Sequence, residues 1–97
     1  MPKLLDVTKS DKPDKKWQAI FRTDNGRFKT THFGAKGMDD YTQHHDKERR
    51  ERYRQRHKKD LETNDPTRAG YLSYHLLWGD STSFSQNLTD YKKRFAL

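Results

Sequence analysis

At 97 residues, with 36% charged, 29% apolar and a formal net charge of +7, the chain has room for one small domain with a thin core. It has no cysteine, which excludes disulfides, cysteine-based zinc sites and thiol catalysis. No apolar run approaches the ~20 residues of a spanning helix, and MPKLLDVTKSDK lacks a secretory apolar region, so a soluble intracellular protein with no membrane partner is expected.

Two Trp, five Tyr and five Phe are spread over separate segments, and these large side chains give a small chain enough area to fold. KLLDVT reads as a short strand, broken by SDKPDK with Pro13. KWQAIFRTDNGRFKTTHF reads as a hairpin, with two β-prone runs about Asn25-Gly26, the favoured pair for a two-residue turn. In that register Asp24 faces Arg27, Phe21 faces Thr30, and Ala19 faces His32. One face then collects Trp17, Ala19, Phe21, Thr23, Phe28, Thr30 and His32 as the core side. The other carries Lys16, Gln18, Ile20, Arg22, Arg27, Lys29, Thr31 and Phe33.

GAKGMDDYTQHHD is a connector. Asp46 is an N-cap with Glu48 in the first turn, opening a helix to about Lys59. In NDPTRAGYLSYHLLWG, Asp65 is the expected N-cap, Pro66 the first helical residue and Gly79 the stop. Ser83 and Gln86 form a capping box for a last helix, whose stripe is Phe84, Leu88, Tyr91 and Phe95. The middle helix is apolar nearly all round. Either it is the central pillar, or its Tyr71, Tyr74 and Trp78 side meets another copy in a homo-oligomer. The fold expected is α+β, one domain over residues 1–97, with a two- or three-stranded antiparallel sheet packed by three helices.

Residues 47–59, KERRERYRQRHKK, hold eight Lys or Arg against two Glu. On a helix Tyr53, His57 and Leu61 align as the stripe that meets the body. Arg49, Arg52, Arg56 and Lys59 align on another side, and Lys47, Arg54 and Lys58 on a third. Only Glu48–Arg52 and Glu51–Arg54 offset this crowding, by a few tenths of a kcal/mol each. Arg22 and Lys29 are a second like-charge pair, across the hairpin. A phosphate backbone relieves both, so a nucleic-acid partner is expected at Arg49, Arg52, Arg56 and Lys59, assisted by Lys16, Arg22, Arg27 and Lys29. Gln55 alone offers base readout, which points to backbone binding with little sequence preference.

The five histidines give no metal-ligand spacing, and neither a metal nor a cofactor is expected. A small nuclease using His32, His45 or His57 with Asp39 or Asp40 is a third reading. The glycines of HFGAKGMDD offer either a backbone nest for phosphate or simple turns.

HFG, G-x-x-D-Y-T, R-x-R-Y-x-x-R-H, D-P-x-x-A-G and L-L-W-G together cover most of the chain. The set resembles a family of small basic proteins of unknown function from large nucleocytoplasmic DNA viruses, marseilleviruses among them, with a departure at Tyr71. No catalytic residue carries over. The resemblance implies a viral protein of the infected cell, in cytoplasmic factory, nucleus or virion, where DNA is the abundant polyanion. The expected function is non-enzymatic DNA binding. The alternative is an interaction module for acidic protein partners that also self-associates.

Overall fold

Three antiparallel strands run as a meander, β1 (Lys3–Lys9), β2 (Lys15–Arg22) and β3 (Phe28–Ala35), in the computed structural model, which describes residues 2–97. With the helices packed on it the sheet makes a small α+β fold. In β1, Leu4 pairs with Phe21 and Asp6 with Ile20, which leaves Leu5 as a bulge that points away from the core.

The β2–β3 turn is one residue longer than its Asn-Gly pair predicts. Asp24, Asn25 and Gly26 form a three-residue loop, with the Gly26 N–H on the Thr23 carbonyl (2.9 Å) and the Thr23 N–H on the Arg27 carbonyl (2.7 Å). Gly26 takes φ +81°, the left-handed residue that such a loop requires. The Thr23 hydroxyl bonds the Asn25 side chain and meets Arg27, and so closes the longer loop.

Side chains alternate along a strand, so a one-residue shift turns β3 over. Trp17 pairs with Phe33, Ala19 with Thr31 and Phe21 with Lys29. Phe33 therefore lies in the core at 1% exposure, and Phe28 stands 70% exposed. His32 is on the outer face, its Nδ1 2.7 Å from Ser10 Oγ. Arg22 faces Phe28, so the expected Arg22–Lys29 repulsion does not exist. Lys29 instead donates to Thr67 Oγ1 at 2.9 Å, beside the Thr31 hydroxyl on the Thr67 carbonyl.

The expected connector contains a short helix, α1 (Tyr41–His44), capped by Asp40, which accepts the Thr42 N–H at 2.9 Å. Asp46 caps α2 (Lys47–Arg56) by accepting from the Glu48 and Arg49 amides. A 3₁₀ stretch, Lys58–Thr63, follows. Asp65 caps no helix. It holds the Thr67 N–H and hydroxyl in a turn, and α3 (Ala69–Leu72) begins beyond it. From Ser73 to Leu77 the helix widens to a π turn, closed by the Trp78 N–H on the Ser73 carbonyl at 3.1 Å.

This middle helix is the pillar. Tyr71, Leu72, Leu76, Leu77 and Trp78 are buried between the sheet and the last helix, α4 (Phe84–Arg94). The Tyr71 hydroxyl donates to the Leu61 carbonyl at 2.9 Å. Tyr71 and Trp78 are thus spent inside one chain and offer another copy almost no surface, contrary to the oligomer-interface expectation. Tyr74 is half-buried under the Arg54 guanidinium. In α4, Ser83 caps through its Oγ, Phe84 stacks on Trp17 (4.7 Å) and Tyr91 is buried.

Two features tie pillar to α4. An alanine Cβ at Gly79 would lie 2.2 Å from the His75 carbonyl, so only glycine allows the chain to turn there. Buried Asn87 donates to the carbonyls of Leu76 (3.1 Å) and Ser81 (2.8 Å) and accepts the Ser81 N–H (3.0 Å). Asn87→Ala strands these groups and is expected to cost about 2–3 kcal/mol, read as a lower urea midpoint at unchanged slope.

His75 sits among Tyr71, Tyr74, Tyr91 and Phe95. Burial first, then Arg94 and Arg54, lower its pKa to about 4. The unfolded chain takes the proton first, so the neutral ring's stabilisation is whole above pH 6.5 and lost as pH falls toward 4. In thermal melts the stability gap between wild type and His75→Gln is expected to stay constant above pH 7 and narrow from pH 6.5 to 4.

Candidate nucleic-acid interface

Helix α2 has no fully buried residue, so its placement rests on a few contacts. Of the expected stripe, Tyr53 and Leu61 pack against the core, while His57 reaches the body only through Tyr53. Tyr53 stacks on Trp78 at 4.2 Å and 7°, and His57 stacks on Tyr53 at 4.1 Å and 23°. Burial, followed by the Asp60 carboxylate, pushes the Tyr53 hydroxyl up to about 12, so the ring stays neutral in this basic setting.

The arginines of α2 fall into two sets. Arg50 and Arg54, one turn apart, dock the helix. Arg50 lies 4.9 Å over the Tyr41 ring, pairs with Glu51 at 2.8 Å and donates to the Gly79 and Asp80 carbonyls. Arg54 pairs with Asp80 at 3.1 Å and lies 5.0 Å over Tyr74. Arg49, Arg52 and Arg56 instead line one wall of a cleft of about 590 Å³. Arg52 meets only Glu48, at 3.9 Å with both side chains exposed, a pair worth little. Among the described residues neither Arg49 nor Arg56 has a carboxylate within 4 Å. The end of α2 at His57 takes Lys59 out of helical register, and Lys59 does not line the cleft.

Lys15 and Lys16 of β2, with Asp39 and Asp40, lie across from the arginines. Lys16 is held inside the chain, its Nζ between Asp40 Oδ2 (2.7 Å) and Gln43 Oε1 (2.8 Å). Phe33, Gly34, Leu77, Gly70 and Ser73 form the floor. Gly34 has φ +80°, and a Cβ there would lie 2.9 Å from the Leu77 side chain, so the close approach of β3 to the pillar demands glycine. At one end His57 Nδ1 meets Asp60 Oδ2 at 3.1 Å.

The expected hairpin quartet is not one surface. Lys16 is at the cleft and Lys29 is engaged with Thr67, while Arg22 and Arg27 stay exposed near the hairpin tip and outside the cleft. In HFGAKGMDD two amides are taken up inside the chain, the Lys36 N–H by the Asp14 carbonyl and the Met38 N–H by the Ala35 carbonyl. For the nuclease reading, His32 is on the outer sheet face and Asp40 is committed to Lys16 and Thr42. His57 does gain a carboxylate, but from Asp60. Its His-x-x-Asp spacing was the available signal, legible only once the 3₁₀ turn is known. His44 accepts the Asp46 N–H at Nδ1, so its proton is on Nε2, which is buried beside Trp78 without a partner among the described residues. No group of His, Asp or Glu among the described residues could hold a metal ion, and no helix there is long and apolar enough to cross a membrane.

A profile described as a family of unknown function, DUF5754, matches residues 5–57, and the chain belongs to that family. The matched segment spans the sheet, α1 and α2, and so includes the arginine wall and the β2 side of the cleft. No curated protein and no solved structure matches the chain.

The two arginine sets should separate in stability measurements. Arg50→Ala removes a ring contact and several hydrogen bonds and is expected to cost about 1–2 kcal/mol in urea denaturation. Arg49→Ala is expected to stay within about 0.5 kcal/mol of wild type.

Proposed function

We propose that this protein binds nucleic acid, DNA foremost, through phosphate contacts from Arg49, Arg52 and Arg56, with little sequence preference and without catalysing a reaction. The observation that carries the reading is one cleft wall of three guanidinium groups, of which Arg49 and Arg56 have no carboxylate within 4 Å among the described residues and Arg52 meets only exposed Glu48 at 3.9 Å, on a helix whose Arg50 and Arg54 are engaged inside the chain. Mutual repulsion on that wall is a standing cost that phosphates offset by bidentate hydrogen bonds and counterion release. Arginine suits this better than lysine because its planar fork stays charged and matches two phosphate oxygens. Gln55 is the one neutral amide among the polar side chains of α2, which favours backbone contact over base readout. The likeness of its motifs to those of DNA-virus proteins supports DNA as the polymer, and the infected cell's cytoplasm, viral factory or nucleus, or the virion, as the place.

A second reading puts an acidic protein segment in the same cleft. It draws on Met38, 64% exposed on the cleft lining, which suits an apolar peptide side chain better than a phosphate.

Random-sequence DNA should bind with an affinity that falls steeply with salt. About three neutralised phosphates give a log–log slope of about −2.7 on duplex or −2.1 on single strands. Arg52→Glu with Arg56→Glu is expected to abolish binding while the melting temperature holds. Unchanged binding by that double variant overturns the site. Tight binding of an acidic peptide with no DNA affinity favours the second reading.

A further inference from the structure

The arginine cleft does not end at His57. A second cleft of about 660 Å³, lined by Lys29, Thr31, Thr63, Thr67 and Arg68, shares Asp60, Ala69 and Gly70 with the first. The two clefts adjoin at these three residues, and a ligand that runs from one to the other crosses Ala69–Gly70 as a saddle. Nothing larger fits there at Gly70: a Cβ would lie 2.9 Å from the Asp60 side chain. Cations stand on both sides of the saddle, Arg49, Arg52 and Arg56 on one and Lys29 and Arg68 on the other, where Lys29 donates to Thr67 Oγ1 (2.9 Å) and exposed Arg68 lies 3.4 Å from Asp65.

The ring stack ends in the first cleft. Trp78 covers one face of Tyr53 and His57 covers the other, so the stack is two contacts deep and finishes at His57. The His57 side chain is 42% exposed and lines the first cleft, and no ring other than Tyr53 lies against it among the described residues. Asp60 on Nδ1 fixes the ring's orientation.

We propose that the two clefts together hold one unpaired nucleic-acid strand, with phosphates on Arg49, Arg52 and Arg56, a base stacked on the open face of His57, and the strand continuing over Ala69–Gly70 to Lys29 and Arg68. The inference rests on the nucleic-acid reading above and names the form of the polymer. A surface that is concave, basic on both sides of a saddle and open to an aromatic ring suits a single strand. In a duplex the bases are paired and stacked on one another and cannot reach His57. Asp60 at the shared edge and Asp39 in the first cleft disfavour phosphate beside them and suit the exocyclic amines of a base.

The test measures binding of the full chain to a ten-nucleotide single strand, a four-nucleotide strand and a duplex of the same sequence, at one salt concentration. The single decamer is expected to bind at least ten-fold tighter than the duplex. His57→Ala should weaken it about ten-fold, as loss of one base–ring stack does, and His57→Phe should restore it. Ala69 is exposed, so Ala69→Glu leaves the core untouched. It should weaken the decamer, which crosses the saddle, and spare the tetramer. Circular dichroism checks that each variant stays folded. Equal binding of duplex and single strand, unaffected by His57→Ala and Ala69→Glu, overturns the inference and leaves the phosphate-binding reading standing. Binding of neither form overturns both.

Discussion

The near-parallel contact between Tyr53 and Trp78 is what makes α2 part of the fold. A helix this charged has almost no apolar surface with which to dock, and burial of one aromatic pair must substitute for a whole stripe. Trp78 comes from the pillar, so the orientation of the arginine wall is inherited from the core. Arg50 and Arg54 then fix the helix about its own axis through Tyr41, Tyr74 and the chain at Gly79–Asp80. Two cations of the same element are thereby converted into mortar, and three others are left facing open space.

That division answers why so much positive charge sits in one short segment. A solvated helix would distribute its arginines without regard to partners. Here guanidinium groups one turn apart are saturated on one side of the helix, and those on the other face a cleft whose floor is glycine, serine and apolar side chains. A low-polarity floor strengthens whatever ion pair forms above it. Of the two lysines opposite, Lys16 is neutralised by a carboxylate that is itself buried, so most of the cationic charge of the cleft comes from α2.

Much of this was legible in the residues, and the rest failed for definable reasons. The Asp46 and Ser83 caps, the Tyr53 contact and the Arg49–Arg52–Arg56 row follow from spacing within one helix, where 3.6-residue geometry leaves little freedom. The hairpin failed at one residue. Asn25-Gly26 suits a two-residue turn, but Thr23 can close a three-residue one, and local sequence does not rank the two. That single residue exchanged Phe28 for Phe33 in the core and removed the Arg22–Lys29 repulsion. The start of the pillar was misplaced because Asp65 makes the same hydrogen bonds to Thr67 in a turn as it would at a helix N-terminus. The opposite wall of the cleft, the His57–Asp60 contact and the second cleft join residues distant in sequence or separated by a helix end, and spacing alone carries no signal for them.

The widened turn between Ser73 and Leu77 has a consequence for how this chain can vary. A wider turn takes up one residue more than an α-helix needs, so the chain beyond it keeps nearly the direction it would have without the surplus. Trp78 thus keeps its aim at Tyr53 although the stretch carries an extra residue. Removing one residue there would give a more regular helix with the indole still near its partner, whereas one residue added in α geometry would carry the indole about 100° around the axis and set the arginine wall adrift. The widened turn is a place where the pillar can shorten without re-aiming the arginines.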